Sequence, residues 1–248
     1  MPDDQRGNHT QLNAIIEDSA GLEGRDLMAN VIRNNPGRVA VLSSFGAESA
    51  VLLHMASEID PNIPVLFLDT EKLFPETLAY RARLTREFGL TNVRDIRPDP
   101  EDIQRVDPEG KLNSFDKDLC CHFRKTVPMN KALKDFDVVI SGRKRFHGAT
   151  RSQLQFISEQ DGKIKVEPLA GFSALDLQHY VQQHALPSHP LRLQGYRSIG
   201  CMPCTVAGGS DDDPRAGRWA GTDKTECGIH FAVNGKVIRT ETRQAAGV

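Results

Sequence analysis

The stretch Arg38-Val39-Ala40-Val41-Leu42-Ser43-Ser44-Phe45-Gly46-Ala47-Glu48-Ser49 decides the fold. Val39 to Leu42 form an unbroken apolar run, without the polar alternation of a half-exposed strand. Such a run predicts a strand buried on both faces of a parallel sheet. Phe45 to Ser49 then turn the chain into a helix that carries Val51, Leu52, Leu53 and Met55. A strand feeding a helix through a short polar turn is the repeating unit of α/β folds.

The same unit recurs downstream. Residues 63–69 read as a second buried strand, followed by a helix near Pro75–Phe88, with Pro75 suited to the first turn. Residues 92–96 read as a third strand and 137–142 as a fourth. Between them a helix is expected from Cys120 to Leu133, broken or begun near Pro128. Alternating strands and helices predict an α/β fold: a single-domain parallel sheet with flanking helices on both faces. Residues 153–168 alternate apolar and polar around Asp161-Gly162, the signature of an antiparallel hairpin. Ser173 is placed to cap a helix over 174–185. The first 35 residues read as two short helices, and 36–190 as the α/β core. Residues 191–248 read as a C-terminal segment of the same domain, rich in Gly, Pro, Ser and Asp, made of loops and a mobile tail.

Composition limits the function. Lys plus Arg is 31 against 33 Asp plus Glu, a net charge of -2, so no broad nucleic-acid or membrane-surface face is expected. Aromatic residues are only 6%, too few for platforms that stack single-stranded bases. The first residues lack the apolar core of a signal peptide, and no apolar run approaches a membrane span. A cytoplasmic protein with reduced thiols is the expectation. The composition is compatible with a homo-oligomer.

Three groups of residues carry chemistry. The first is the turn Ser43, Ser44, Phe45 and Gly46. A helix N-terminus offers free N–H groups and partial positive charge to an anion, Gly46 permits close backbone approach, and the serines can donate. The alternative is a plain turn with a serine cap. The turn lacks the lysine of a phosphate-binding loop that hydrolyses nucleoside triphosphates. Asp69 and Thr70, at the end of the second strand, are expected to face the same crevice.

The second group is basic. Arg143, Lys144 and Arg145 follow the fourth strand, Arg151 comes shortly after, and Arg215 and Arg218 lie near the C-terminus. Lys125 stands four residues after Cys121, on the same face if the segment is α-helical. Such donors suit phosphate and sulfate groups, which arginine binds bidentately.

The third group is the five cysteines. Cys120 and Cys121 are adjacent, and Cys201 and Cys204 form a C-x-x-C. Four clustered thiols fit Zn²⁺ or a [4Fe–4S] cluster, and the adjacent pair argues against an ordinary zinc ribbon. Cys227 stands apart in Glu226-Cys227-Gly228-Ile229-His230, a polar setting suited to a nucleophilic thiolate. The odd number rules out complete intramolecular disulfide pairing.

Taken together, these pieces resemble the assimilatory adenylyl-sulfate and phosphoadenylyl-sulfate reductases over about residues 38–230. The residues that carry the resemblance are Ser44–Ser49, Leu68–Thr77, Cys-Cys-x-x-x-Lys at 120–125, Ser-Gly-Arg-Lys-Arg at 141–145 with Arg151, Gly-Cys-x-Pro-Cys-Thr at 200–205, Arg-Ala-Gly-Arg-Trp at 215–219, and 226–230. The resemblance implies an adenine nucleotide α-hydrolase-like fold whose core binds a nucleotide. It implies attack of Cys227 on the sulfur of adenylyl sulfate, release of AMP, and removal of sulfite by thioredoxin or glutaredoxin. Substrate would meet Ser43, Ser44, Phe45, Gly46, Asp69, Thr70, Lys125, Arg143, Arg151, Arg215 and Arg218. A [4Fe–4S] cluster on Cys120, Cys121, Cys201 and Cys204 is the mark of members that use adenylyl sulfate; some relatives with the cluster accept the 3′-phosphorylated substrate too. The chain departs from the family pattern at Glu71, where relatives often have glycine, at Phe146-His147-Gly148, and in the residues after His230. Two other readings stand beside this one. An RNA-thiolating enzyme would carry Ser-Gly-Gly-x-Asp-Ser where this chain has Phe45 and Glu48, and a metal-thiolate redox sensor would bind metal without nucleotide.

Overall fold

In the computed structural model, residues 3–148, 151–210 and 213–219 are described, with side chains from Thr10 onward. The elements run α1 (Asp3–Asp18), α2 (Gly24–Asn34), β1 (Val39–Ser43), α3 (Ser49–Ile59), β2 (Val65–Leu68), α4 (Pro75–Glu87) and β3 (Val93–Ile96). Three short helices follow, α5 (Pro100–Val106), α6 (Leu112–Phe115) and α7 (Lys117–Cys121), then a π-turn (His122–Thr126) and α8 (Val127–Ala132). The chain ends its regular part with β4 (Val138–Ser141), the hairpin β5 (Ile157–Gln160) and β6 (Lys163–Val166), and α9 (Ala174–Gln183).

The six strands lie in the order β3-β2-β1-β4-β6-β5, and every pairing is parallel except the β5–β6 hairpin. β1 is central, with β2 on one side and β4 on the other, which is why its apolar run shows no alternation. Helices cover both faces. Val39 and Val41 join the core built with α2 and α3, while Ala40 packs with Met129 and Leu133 on the opposite face. The edge strand β3 carries the exposed charges Arg94 and Asp95. Asp161 and Gly162 both take positive φ, 55° and 68°, as a tight two-residue hairpin turn requires. Ser173 and Asp176 cap α9 reciprocally, with each side chain bound by the other's backbone N–H.

Three expectations need adjustment. α1 is a long helix of 16 residues, not a short one. The helix expected from Cys120 to Leu133 is three pieces, because Pro128 has no N–H to bond the carbonyl of Arg124, and the ladder widens into the π-turn just before it. Residues 191–219 are not plain loops. They hold two 3₁₀ turns, Pro190–Gln194 and Met202–Cys204, and isolated bridges join Leu73 to Cys201, Tyr196 to Gly208 and Thr205 to Arg218. The C-x-x-C segment is thereby pinned to the loop after β2. Cys227, His230, the tail after it and most of the segment expected to be mobile lie outside the described residues.

Candidate active site

The strand order reverses direction between β1 and β4: β2 and β3 lie to one side, β4 and β6 to the other. Loops leaving adjacent strands on opposite sides splay apart, and ligands bind in the crevice that opens there. A cleft of about 250 Å³ lies at this point. Ser43, Ser44 and Gly46 from the β1 loop line one wall, and Ser141, Arg143 and Lys144 from the end of β4 line another. Thr70, Lys125 and Cys201 close it on a third side, with Arg151, Arg197, Arg215 and Arg218 around them.

Nine of the side chains expected at a substrate therefore meet in one cleft: Ser43, Ser44, Gly46, Thr70, Lys125, Arg143, Arg151, Arg215 and Arg218. Two are placed elsewhere. Phe45 turns into the core, fully buried, its ring edge-on to Phe67 at 5.2 Å. Its φ of +47° swings the chain so that the serines on one side and Gly46 on the other reach the cleft. Asp69 faces back to the protein, accepting from Arg97 Nε at 3.1 Å and from the Glu71 N–H at 3.0 Å.

That second bond explains the departure at Glu71. Its φ is +59°, a backbone setting that favours glycine. Asp69 holds the turn from one side, and Arg124 binds the Glu71 carboxylate at 3.2 Å from the other.

Arg124 is a positioning residue that motif reading missed. It lies buried in the π-turn, donates to Asp107 at 2.9 and 3.2 Å, and reaches the Thr70 carbonyl at 3.1 Å. Asp107 is buried as well; its bonds from Leu112 N–H and Arg124 outweigh burial and hold its carboxyl below the usual range. The π-turn is thus fastened to the loop after β2. Lys125, the next residue, is consequently fixed and buried in the cleft wall. The α-helical spacing argument for Lys125 does not hold in a π-turn, yet the side chain reaches the cleft.

Cys120, Cys121, Cys201 and Cys204 are all buried and none is in a disulfide. Thr70 Oγ1 lies 3.2 Å from Cys201 Sγ. Burial pushes the Cys120 thiol up to about 11, with the fields of Cys201 and Cys204 adding to the rise. Burial also raises Cys204, followed by Cys201, against the opposing fields of Lys125 and Arg218. The two cysteine segments therefore face each other, with cationic side chains beside them. Among the described residues, no group of three or more His, Cys, Asp or Glu is arranged to hold a metal ion. In kind, the donor set of four buried thiols is one that could hold an iron–sulfur cluster.

Trp219 seals this end. It is buried against Cys201 and Cys204, its backbone N–H donates to the Cys204 carbonyl at 2.9 Å, and Arg218 lies 4.5 Å over its ring. Gly200 makes room for that arginine, since a Cβ there would sit 2.2 Å from the guanidinium.

Further cleft residues come from outside the expected set. Glu48 Oε2 binds both Lys144 Nζ at 2.8 Å and His147 Nε2 at 2.9 Å. Burial alone would raise the Glu48 carboxyl, but the Lys144 ammonium and the hydrogen bond from His147 hold it well below the usual range. Burial lowers His147 despite Glu48. Arg143 is bound by Glu167, whose carboxyl burial pushes up against the pull of Arg143 and Ser141.

A mostly parallel α/β sheet with a crevice at its switch point, walled by arginine, lysine and cysteine, is the place where open α/β folds bind ligands. Residues 38–207 match the phosphoadenosine phosphosulfate reductase domain. The chain belongs to that family. It is 47% identical over 194 residues to the adenosine 5′-phosphosulfate reductase of Mesorhizobium japonicum, covering 78% of this chain and 76% of that one. It is 41% identical over 228 residues to the enzyme of the same name from Chelativorans sp., covering 92% and 89%. Among solved structures it resembles the phosphoadenylyl-sulfate reductase of Candida auris, in a phosphate complex, with a TM-score of 0.65 at 22% identity over 79% of this chain and 96% of that one.

Proposed function

We propose that this chain is an oxidoreductase of sulfate assimilation that reduces adenylyl sulfate to sulfite and AMP. The observation that carries the reading is that Cys201, Lys125 and the Ser44–Gly46 turn line one cleft at the sheet's switch point. The names of the relatives set the substrate.

In the proposed reaction the thiolate of Cys227 attacks the sulfur of the sulfonucleotide. A sulfur–sulfur bond forms, the bond from sulfur to the phosphate oxygen breaks, and AMP leaves with the electron pair. Negative charge gathers on the departing phosphate. Lys125, Arg215 and Arg218, which line the cleft with Cys201, can oppose it. A dithiol protein of the thioredoxin or glutaredoxin class then attacks Cys227 Sγ. Sulfite departs, a mixed disulfide forms, and the second thiol of the reductant releases Cys227, leaving the reductant as a disulfide. Two electrons pass from the dithiol to sulfur.

Cys120, Cys121, Cys201 and Cys204 would hold a [4Fe–4S] cluster. When bound it would order the two cysteine segments and set the electrostatics beside Lys125.

The test is product analysis under anaerobic turnover with adenylyl sulfate and a reduced dithiol protein. The reading expects sulfite and AMP in equal amounts. Sulfate with AMP would mean hydrolysis and would overturn it.

A further inference from the structure

The cleft distributes its charge unevenly. Arg218 lies 4.5 Å and Arg215 5.6 Å from the Trp219 ring, which packs on Cys201 and Cys204, and Lys125 follows Cys121 in the π-turn, so these three stand at the cysteine end. On the β4 side Lys144 and Arg143 are each paired with a carboxylate. A single oxygen of Glu48 holds Lys144 and His147, and Glu167 holds Arg143 at 2.5 and 2.7 Å. Glu48 is fixed in the ionised state by those partners and stands in the cleft wall beside the Ser44–Gly46 turn.

A nucleotide with all its charge at the 5′ end fits this division. Its phosphosulfate goes to the cysteine end, and the neutral ribose hydroxyls meet the side that carries Glu48. A ribose phosphate fits poorly. It would bring nearly two negative charges to a wall where Lys144 and Arg143 are engaged and the Glu48 carboxylate adds its own charge.

We propose that Glu48 is a specificity-determining residue: its carboxylate admits nucleotides with a free 3′-hydroxyl and excludes those with a 3′-phosphate, by engaging Lys144 and His147 and by repelling the added charge. A free hydroxyl finds in the same carboxylate a hydrogen-bond acceptor. The proposal rests on reading the cleft as the site of adenylyl sulfate.

The experiment uses unreactive nucleotides, so it does not depend on sulfur chemistry. AMP and adenosine 3′,5′-bisphosphate are titrated calorimetrically into the wild-type protein, Glu48→Gln, Glu48→Asp and the double variant Glu48→Gln/Lys144→Met. The wild type should prefer AMP by about 30-fold or more, in line with the cost of a misplaced like charge. Glu48→Gln should cut that preference at least about tenfold, chiefly by tighter bisphosphate binding. Glu48→Asp, which keeps the charge, should keep the preference. Lys144→Met on top of Glu48→Gln should restore much of it, because the freed ammonium is what the phosphate would use. Equal affinities in the wild type, or an unchanged ratio in Glu48→Gln, would overturn the proposal while leaving the adenylyl sulfate site intact. Failure of both nucleotides to bind the wild type would overturn the site itself.

Discussion

The two ends of the cleft are held by different kinds of buried ion pair. At the β4 end, Arg143 meets Glu167, a carboxyl that burial has pushed up and that Ser141 also binds at 2.6 Å. At the cysteine end, Arg124 meets Asp107, a carboxyl held down, and the same arginine carries the Thr70 carbonyl and Glu71. The first carboxyl can take a proton when its partner goes; the second is built to stay charged. The β4 end joins residues 141–144 to Glu167 and Glu48, each through a separate carboxylate. The cysteine end is assembled from segments far apart, and one arginine fastens them.

The largest effect should come from removing that fastening. Arg124→Ala leaves Asp107 and the Thr70 carbonyl buried without it, a loss of about 3–5 kcal/mol in chemical denaturation. Loss of under about 1 kcal/mol would mean that the π-turn is held by something else. Arg143→Ala should cost less, roughly 1–3 kcal/mol, since Glu167 keeps Ser141 and can neutralise itself. If the two variants lose equally, the contrast between the ends is wrong.

His189 gives a pH test. It is wholly buried and accepts the Leu191 N–H at Nδ1 at 3.2 Å, so its proton sits on Nε2 and donates to Thr77 Oγ1 at 3.1 Å. Burial pushes its pKa down to about 4. The unfolded chain takes up this proton near pH 6.5, while the folded protein resists it to about 4. Stability from this residue is therefore complete above about pH 6.5 and falls toward pH 4, by about 2–3 kcal/mol at most. Comparing wild type with His189→Gln across that range isolates it, and parallel curves would contradict the assignment.

The smallest effect is at Glu71. Glycine there would relieve the positive φ but lose the contact to Arg124, so Glu71→Gly should change stability by less than about 0.5 kcal/mol. A loss above about 2 kcal/mol would show that the Glu71 carboxylate matters to the cysteine end far more than its half-exposed position suggests.

Separation along the chain governs what could be read from the sequence. The β1 run, the Ser43–Gly46 turn and the β5–β6 hairpin declare themselves, because their conformations follow from residues next to one another. So does the capping of α9 by Ser173. The π-turn does not, since only the missing N–H of Pro128 hints at it. Residues 191–219 show no periodicity because their order comes from distant partners: Leu73 pairs with Cys201, and Trp219 packs on the C-x-x-C. Phe45 and Asp69 sit in the right motifs, yet their side chains serve the fold, and a motif does not say which way a side chain turns. Glu48 looked like one letter of a turn, and its partners Lys144 and His147 lie nearly a hundred residues away.

The central claim is that Cys227 carries sulfur from nucleotide to reductant. The direct measurement is the anaerobic incubation of iron-loaded protein with adenylyl sulfate and no reductant, followed by intact and peptide mass. The account predicts one sulfonate on the peptide holding Cys227, with one AMP released per chain, and neither in Cys227→Ser. Iron-loaded protein that binds AMP but gains no adduct, or gains it on another cysteine, would contradict it.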